Sequence, residues 1–94
     1  MTLLLNNTTH SVTTNGKEQH FTKKEFDILA FLVEHPNIIF TPEEIYESVW
    51  KEKPYKCRQI ISVHMCHIRE KIQKNCTEQI VSSFWKKGYR FNKA

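Results

Sequence analysis

Two histidines and a cysteine stand within four residues in the stretch SVHMCHIREKIQK, at His64, Cys66 and His67. Residues of these types could ligate a metal, pair a thiol with its base, or form the reading edge of a helix. A structural zinc site needs four ligands, commonly delivered by CxxC or HExxH spacings, and neither spacing occurs here. Cys66 and His67 are neighbours, so on a helix they diverge by about 100°, and only His64 and His67 share a side. A Cys–His nucleophile fails on the same geometry, because adjacent helical residues do not converge and nothing marks an oxyanion hole. The chain has no paired-carboxylate site, nucleophile elbow or phosphate loop, and its only glycines are Gly16 and Gly88. No enzyme activity, metal or cofactor is expected, which leaves the reading edge.

The periodicity around the cluster supports that choice. A helix from about Arg58 to Lys74 places Ile61, Met65, Ile68 and Ile72 on one stripe, which must face the core. The opposite strip carries Gln59, Val63, Cys66, His67, Glu70 and Lys74, with Arg58, His64 and Arg69 on the flanks. A polar strip around one small apolar side chain, with cations along its margins, suits a DNA major groove. The margins meet phosphates while the strip meets base edges and thymine methyls.

The rest of the chain must position that helix. Leu3–Leu5, HSVTT and KEQHF read as short antiparallel strands, the last two joined by Asn15-Gly16, a pair that supplies the positive φ angles of a tight turn. Thr22 and Glu25 form a capping box, Phe21 and Phe26 sit at hydrophobic-staple positions, and Phe26, Leu29, Ala30 and Val33 share the face of a first helix. After a short apolar link, Ile38–Phe40, a second helix starts with Thr41 as cap, Pro42 at its first position and Glu44 closing a second box. KEKPYKC, Lys51–Cys57, is polar, broken by Pro54, and reads as a loop. QIVSSFWKKGYRF reads as a hairpin around Gly88, with Trp85, Lys86 and Lys87 at its tip. The expected fold is α+β: a winged helix-turn-helix with an N-terminal antiparallel sheet (1–21), three helices (22–74) and a β-hairpin wing (79–92). An aromatic and two lysines at a wing tip suit a phosphate backbone or a minor groove. Trp85 could equally cover the end of the core.

Composition agrees. In 94 residues, 39% hydrophobic and 26% charged, there is room for one small domain and no apolar run that spans a membrane. Leu3–Leu5 is too short for a signal peptide. Three cysteines, Cys57, Cys66 and Cys76, suit a reducing cytoplasm better than a disulfide framework, and three Asn-x-Ser/Thr triplets are chance matches there. The net charge of +4 is unevenly held: residues 1–53 have 5 Lys/Arg against 8 Asp/Glu (−3), residues 54–94 have 9 against 2 (+7). That division points to a basic face for a polyanion.

From Phe21 onward the chain resembles the winged-helix effector domain of OmpR/PhoB-type response regulators of two-component systems. FTKKEFDILAFLVEHPNIIFTPEEIYESVW is similar to that family's Leu-Thr-x-x-Glu-Phe-x-Leu-Leu pattern, link, and helix ending in Val-Trp. QIISVHMCHIREKI resembles its recognition helix, and FWKKGYRF its wing pattern Val-Arg-Gly-x-Gly-Tyr-Arg-Phe. The N-terminal strands suit the four-stranded sheet that opens the family's domain. The resemblance implies sequence-specific binding of double-stranded DNA for transcriptional regulation. It places the recognition helix (about 58–74) in the major groove and the wing (84–88) on the backbone or minor groove. It implies that Val63 contacts thymine methyls, His64 a phosphate, and that Arg69, Trp50 and Tyr89 match basic or backbone-contacting positions. Ser62 replaces the family's Asp and Ser83 its Thr, so hydroxyls remain. It further implies an N-terminal receiver domain, absent from these residues, a loop 51–57 able to face RNA polymerase, and monomers that occupy tandem half-sites on DNA.

The departures bear on specificity. Gln59 stands where the family has Arg, Cys66-His67 replace an Arg pair, Trp85 takes the wing Arg position and Lys86 that of a Gly. These departures imply that phosphate anchoring has moved partly toward the wing and that the site read differs from the usual family sites. Glu70 could accept from a cytosine amine or lie beyond the groove, the latter being favoured because a carboxylate near phosphates needs a donor to offset repulsion. A winged-helix protein-interaction module, with the basic half merely solvated, is the competing expectation.

Overall fold

The computed structural model describes residues 3–93. The chain opens with β1 (Leu3–Asn6), β2 (Ser11–Thr14) and β3 (Lys17–His20), an antiparallel sheet in the order β1-β2-β3. Asn15 (φ 51°) and Gly16 (φ 81°) make the β2–β3 turn, as an Asn-Gly pair should, and set Thr14 opposite Lys17. Among the described residues the sheet has three strands, not the four the resemblance implies.

Helix α1 (Lys23–Glu34) starts at a complete capping box: the Thr22 backbone N–H donates to Glu25 Oε1 at 2.9 Å, and the Glu25 N–H donates to Thr22 Oγ1 at 3.2 Å. Phe21 and Phe26 are both buried, as a staple requires. The buried face differs from the expected one: Phe26 and Leu29 are on it, but Ile28 and Leu32 complete it, while Ala30 and Val33 are half-buried. FDILAFLV is apolar around most of its circumference, so periodicity alone leaves the face open, and α1 turns toward both neighbouring helices.

Helix α2 (Pro42–Trp50) repeats the device, with Thr41 and Glu44 closing the box at 2.8 and 3.1 Å. Lys51, left-handed at φ 57°, ends it, and Lys56, left-handed at φ 46°, precedes α3 (Cys57–Gln73) without a side-chain cap. The connecting loop therefore stops at Lys56, and Cys57 is the buried first residue of the helix. Its side chain packs under the helix start instead of extending the polar loop. Ile61, Met65, Ile68 and Ile72 form the buried stripe, each at most 4% exposed. Fully burying such a side chain contributes about 1.5–3 kcal/mol, so this stripe holds α3 against α1 and α2.

The wing is β4 (Val81–Phe84) and β5 (Gly88–Phe91), antiparallel, with Phe84 opposite Gly88. It is tied to the α1–α2 link. Phe40 and Tyr89 exchange two backbone hydrogen bonds of 2.9 Å, and the Asn37 N–H donates to the Phe91 carbonyl at 2.8 Å. The approach is so close that a Cβ on Gly88 (φ 142°) would lie 1.9 Å from the Phe40 carbonyl oxygen. Among the described residues, no helix is long and apolar enough to cross a membrane.

Candidate nucleic-acid interface

Successive residues of a helix step 100° apart, so α3 divides lengthwise into four strips, and the structure gives each its own surroundings. One is the buried stripe. Opposite it, Gln59, Val63, Cys66, His67, Glu70 and Lys74 are all exposed, Val63 to 54%. Apart from His67, whose Nδ1 lies 3.6 Å from Glu25 Oε2, the strip stands clear of the protein along four turns.

One flank faces the wing. A groove of about 480 Å³ runs between the start of α3, the first residue of α2 and the hairpin tip, lined by Arg58, Ser62, Ser83, Trp85, Lys86 and Lys87 among others. Sequence separation hides this, since 20 or more residues lie between Ser62 and Ser83. Arg58 is exposed and reaches Glu43 across 3.8 Å, a pairing that contributes little in water and yields readily to a stronger anion. Arg69, about three turns beyond Arg58 on the same flank, stacks 5.8 Å above the Tyr89 ring, and its Nε and Nη2 are shielded from solvent without a hydrogen-bond partner. The structure therefore brings Arg69 and Tyr89 together at the root of the wing, off the exposed strip.

The other flank faces α1 and α2. Trp50 stacks on Tyr46 (ring centroids 4.7 Å, 3° apart) and meets the His64 ring edge-on at 5.4 Å. Lys24 Nζ lies 5.0 Å from the same indole. His64 Nδ1 sits 2.7 Å from the Ile60 carbonyl, which only accepts, so Nδ1 carries the proton and Nε2 is left for an outside partner. A phosphate partner there requires the imidazolium form, in which Nε2 donates.

Beyond His64 the flank closes on Glu25. This carboxylate, 3% exposed, takes Lys71 Nζ at 2.6 Å and lies 3.6 Å from His67 Nδ1 while also closing the α1 cap. Burial by itself would raise its pKa, but the hydrogen bonds from Lys71 and Thr22 outweigh that and hold it below the ordinary value of 4.5. Thus α3 is fixed in rotation by charge on one side and by the wing on the other.

The opening cluster is split by this arrangement. His64 belongs to the Trp50 flank, His67 leans toward Glu25, and Cys66 stands on the strip with its thiol 3.5 Å from Glu70 Oε1. That carboxylate, accepting from the thiol, pushes the Cys66 pKa up, which disfavours the nucleophilic thiolate. Among the described residues no three His, Cys, Asp or Glu side chains are grouped to hold a metal. Added zinc or a chelator should leave the melting temperature unchanged, which differential scanning fluorimetry checks; a drop on chelation would overturn the assignment.

Sequence reasoning missed Lys24, Lys71 and Pro42 near this surface. No local pattern marks Lys24 or Lys71. Pro42 carries a signal only for the start of α2, a position that here borders the wing groove.

Three helices, with α2 and α3 as a helix-turn-helix, and a β-hairpin packed beside α3 define a winged-helix domain. Residues 16–91 match the family described as "Transcriptional regulatory protein, C terminal", and the chain belongs to that family, the OmpR/PhoB-type effector domains. It is 37% identical over 81 residues to the Bacillus subtilis transcriptional regulatory protein YcbL, covering 85% of this chain and 36% of that protein. It is 33% identical over 93 residues to the Staphylococcus aureus response regulator SaeR, covering 98% of this chain and 41% of SaeR. The chain thus spans well under half the length of these relatives. Its backbone is similar to the DNA-binding domain of Klebsiella pneumoniae RstA, solved in complex with the RstA box (TM-score 0.81, 21% identity, 96% of this chain and 90% of that one). It is also similar to the AdeR DNA-binding domain in complex with an intercistronic region (TM-score 0.82, 21% identity, 98% and 95%). At such identities the two structures attest the fold.

Proposed function

We propose that this domain binds double-stranded DNA sequence-specifically as the effector part of a longer response regulator, and catalyses nothing. The observation that carries this is the exposed α3 strip, bounded on one side by the wing groove with Arg58, Lys86 and Lys87, and on the other by Trp50 and His64. A major groove about 12 Å wide admits such a helix, with flanking cations on the two phosphate backbones. Val63, Gln59 and Cys66 then face base edges, while Ser62 and Ser83 offer hydroxyls toward the backbone. Arg69 and Tyr89 act through the wing root, holding the hairpin in place. The greater length of the relatives supports a receiver domain preceding this one. Loop 51–56, exposed at every residue, is a surface RNA polymerase could meet. The domain alone is then monomeric, pairs on tandem half-sites about one helical turn apart, and works in the cytoplasm.

The test is a salt series on a duplex chosen by selection from a random library. Lys86→Ala with Lys87→Ala should weaken selected and unrelated duplexes by similar factors and flatten the slope of log affinity against log salt by about one to two units. Val63→Ala should spare the slope and lower discrimination at one A·T position, because a methyl contact carries sequence but no charge. A double variant that binds like wild type at every salt concentration, with no wild-type retention on heparin, would favour the protein-interaction module instead.

A further inference from the structure

Trp85 is 87% exposed, so it does not cover the end of the core. Such exposure of the largest side chain leaves a broad apolar surface in water. Its support is firm. The hairpin tip is only Trp85, Lys86 and Lys87, closed by the Lys87 N–H donating to the Phe84 carbonyl at 2.9 Å, with Lys86 left-handed at φ 61°. Directly behind the tip, Gly88 is pressed on the Phe40 backbone. The indole is therefore presented by a short, anchored turn, with the Lys86 ammonium 6.0 Å from its ring and Lys87 next in sequence. Trp85 also lines the groove it shares with Arg58 and Ser62 of α3, so whatever lies along α3 passes the indole.

From this geometry we infer that Trp85 is a specificity-determining residue that enters the minor groove as an apolar wedge and selects deformable base steps. The inference rests on the DNA-binding reading above. Lys86 and Lys87, next to the indole in the same turn, meet phosphates beside the groove it enters. A flat, wide indole does not fit the narrow minor groove of a stiff A-tract, where a slim cationic side chain fits well. It gains only where the groove opens and a step partly unstacks, which is easiest at pyrimidine–purine steps. The indole N–H can then donate to the base acceptors that the minor groove displays. The wing thus reads flexibility and the helix reads base edges.

The experiment uses the chain as it stands and two duplexes identical at the selected α3 site, carrying under the wing either a TA step or an A-tract. Wild type should prefer the TA duplex, and Trp85→Ala should lose about tenfold or more on it and under about twofold on the A-tract, so that the preference disappears. Trp85→Phe should retain part of the preference. End-to-end energy transfer across the duplex should show a bend with wild type that Trp85→Ala does not produce. Equal losses on both duplexes would overturn the wedge and leave Trp85 as a backbone contact, and no loss on either would leave it outside the DNA interface; in both cases DNA binding itself stands. A wild type with no salt-dependent affinity for either duplex would overturn both readings.

Discussion

Gly88→Ala should cost about 3 kcal/mol or more, a fall in Tm of roughly 12–24 °C for a domain of this size. Two effects add. At φ 142° an L side chain is strained, and the new Cβ would meet the Phe40 carbonyl oxygen at 1.9 Å and its carbon at 2.6 Å, both backbone atoms. Relief requires the hairpin to leave Phe40, which breaks the two 2.9 Å hydrogen bonds between Phe40 and Tyr89 and frees Asn37 from Phe91. Gly16→Ala is the control, because Gly16 also has positive φ but an added Cβ there meets nothing within 4 Å. It should cost about 1–2 kcal/mol from backbone strain alone. Thermal unfolding of the pair measures the difference, and equal losses would show that the wing is not held at Gly88.

Removing the Glu25 side chain should be nearly as damaging, at about 2–3 kcal/mol for Glu25→Ala. The loss takes away the acceptor that closes the α1 cap and leaves Lys71 without its 2.6 Å partner. Lys71 is a quarter exposed and reaches water, which keeps the loss below that of a sealed ion pair. Glu25→Gln keeps an acceptor for Thr22 but not the charge, and should lose about half as much. The pH dependence follows from the direction of the shift. Because the folded carboxyl lies below 4.5, its stabilisation is fully present above that value and drains away as pH falls through the folded pKa. Denaturant melts should therefore separate wild type from Glu25→Gln near neutral pH and converge in acid below 4.5. A gap that persists in acid would mean that the Glu25 charge adds nothing to the α1–α3 contact.

Elements whose causes are local were legible in the chain. The two capping boxes, the Asn-Gly turn and the Ile61–Ile72 stripe each depend on residues within a few positions of one another, and each lies where its pattern puts it. What escaped depends on meetings between distant segments. The α1 face turned because two helices, not one, pack on it. Phe40 read as link and is in fact the wing's backbone neighbour. Glu25 was visible as half of a cap, but its pairing with Lys71, 46 residues away, has no sequence signature. For the candidate surface, the helix strip followed from periodicity. The turn of Arg69 inward to Tyr89 did not, because a flank position faces either water or a neighbour depending on where the wing docks.

The lengthwise division of α3 has an evolutionary consequence. Its rotation and depth are secured by groups off the strip, namely Glu25 and Lys71, Trp50 and His64, Arg69 and Tyr89. Gln59, Val63 and Cys66 are not among them, and the Cys66 thiol donates to Glu70 of the same strip. On the DNA-binding reading proposed above, such a scaffold lets duplicated copies diverge in the sites they bind without passing through unfolded ancestors.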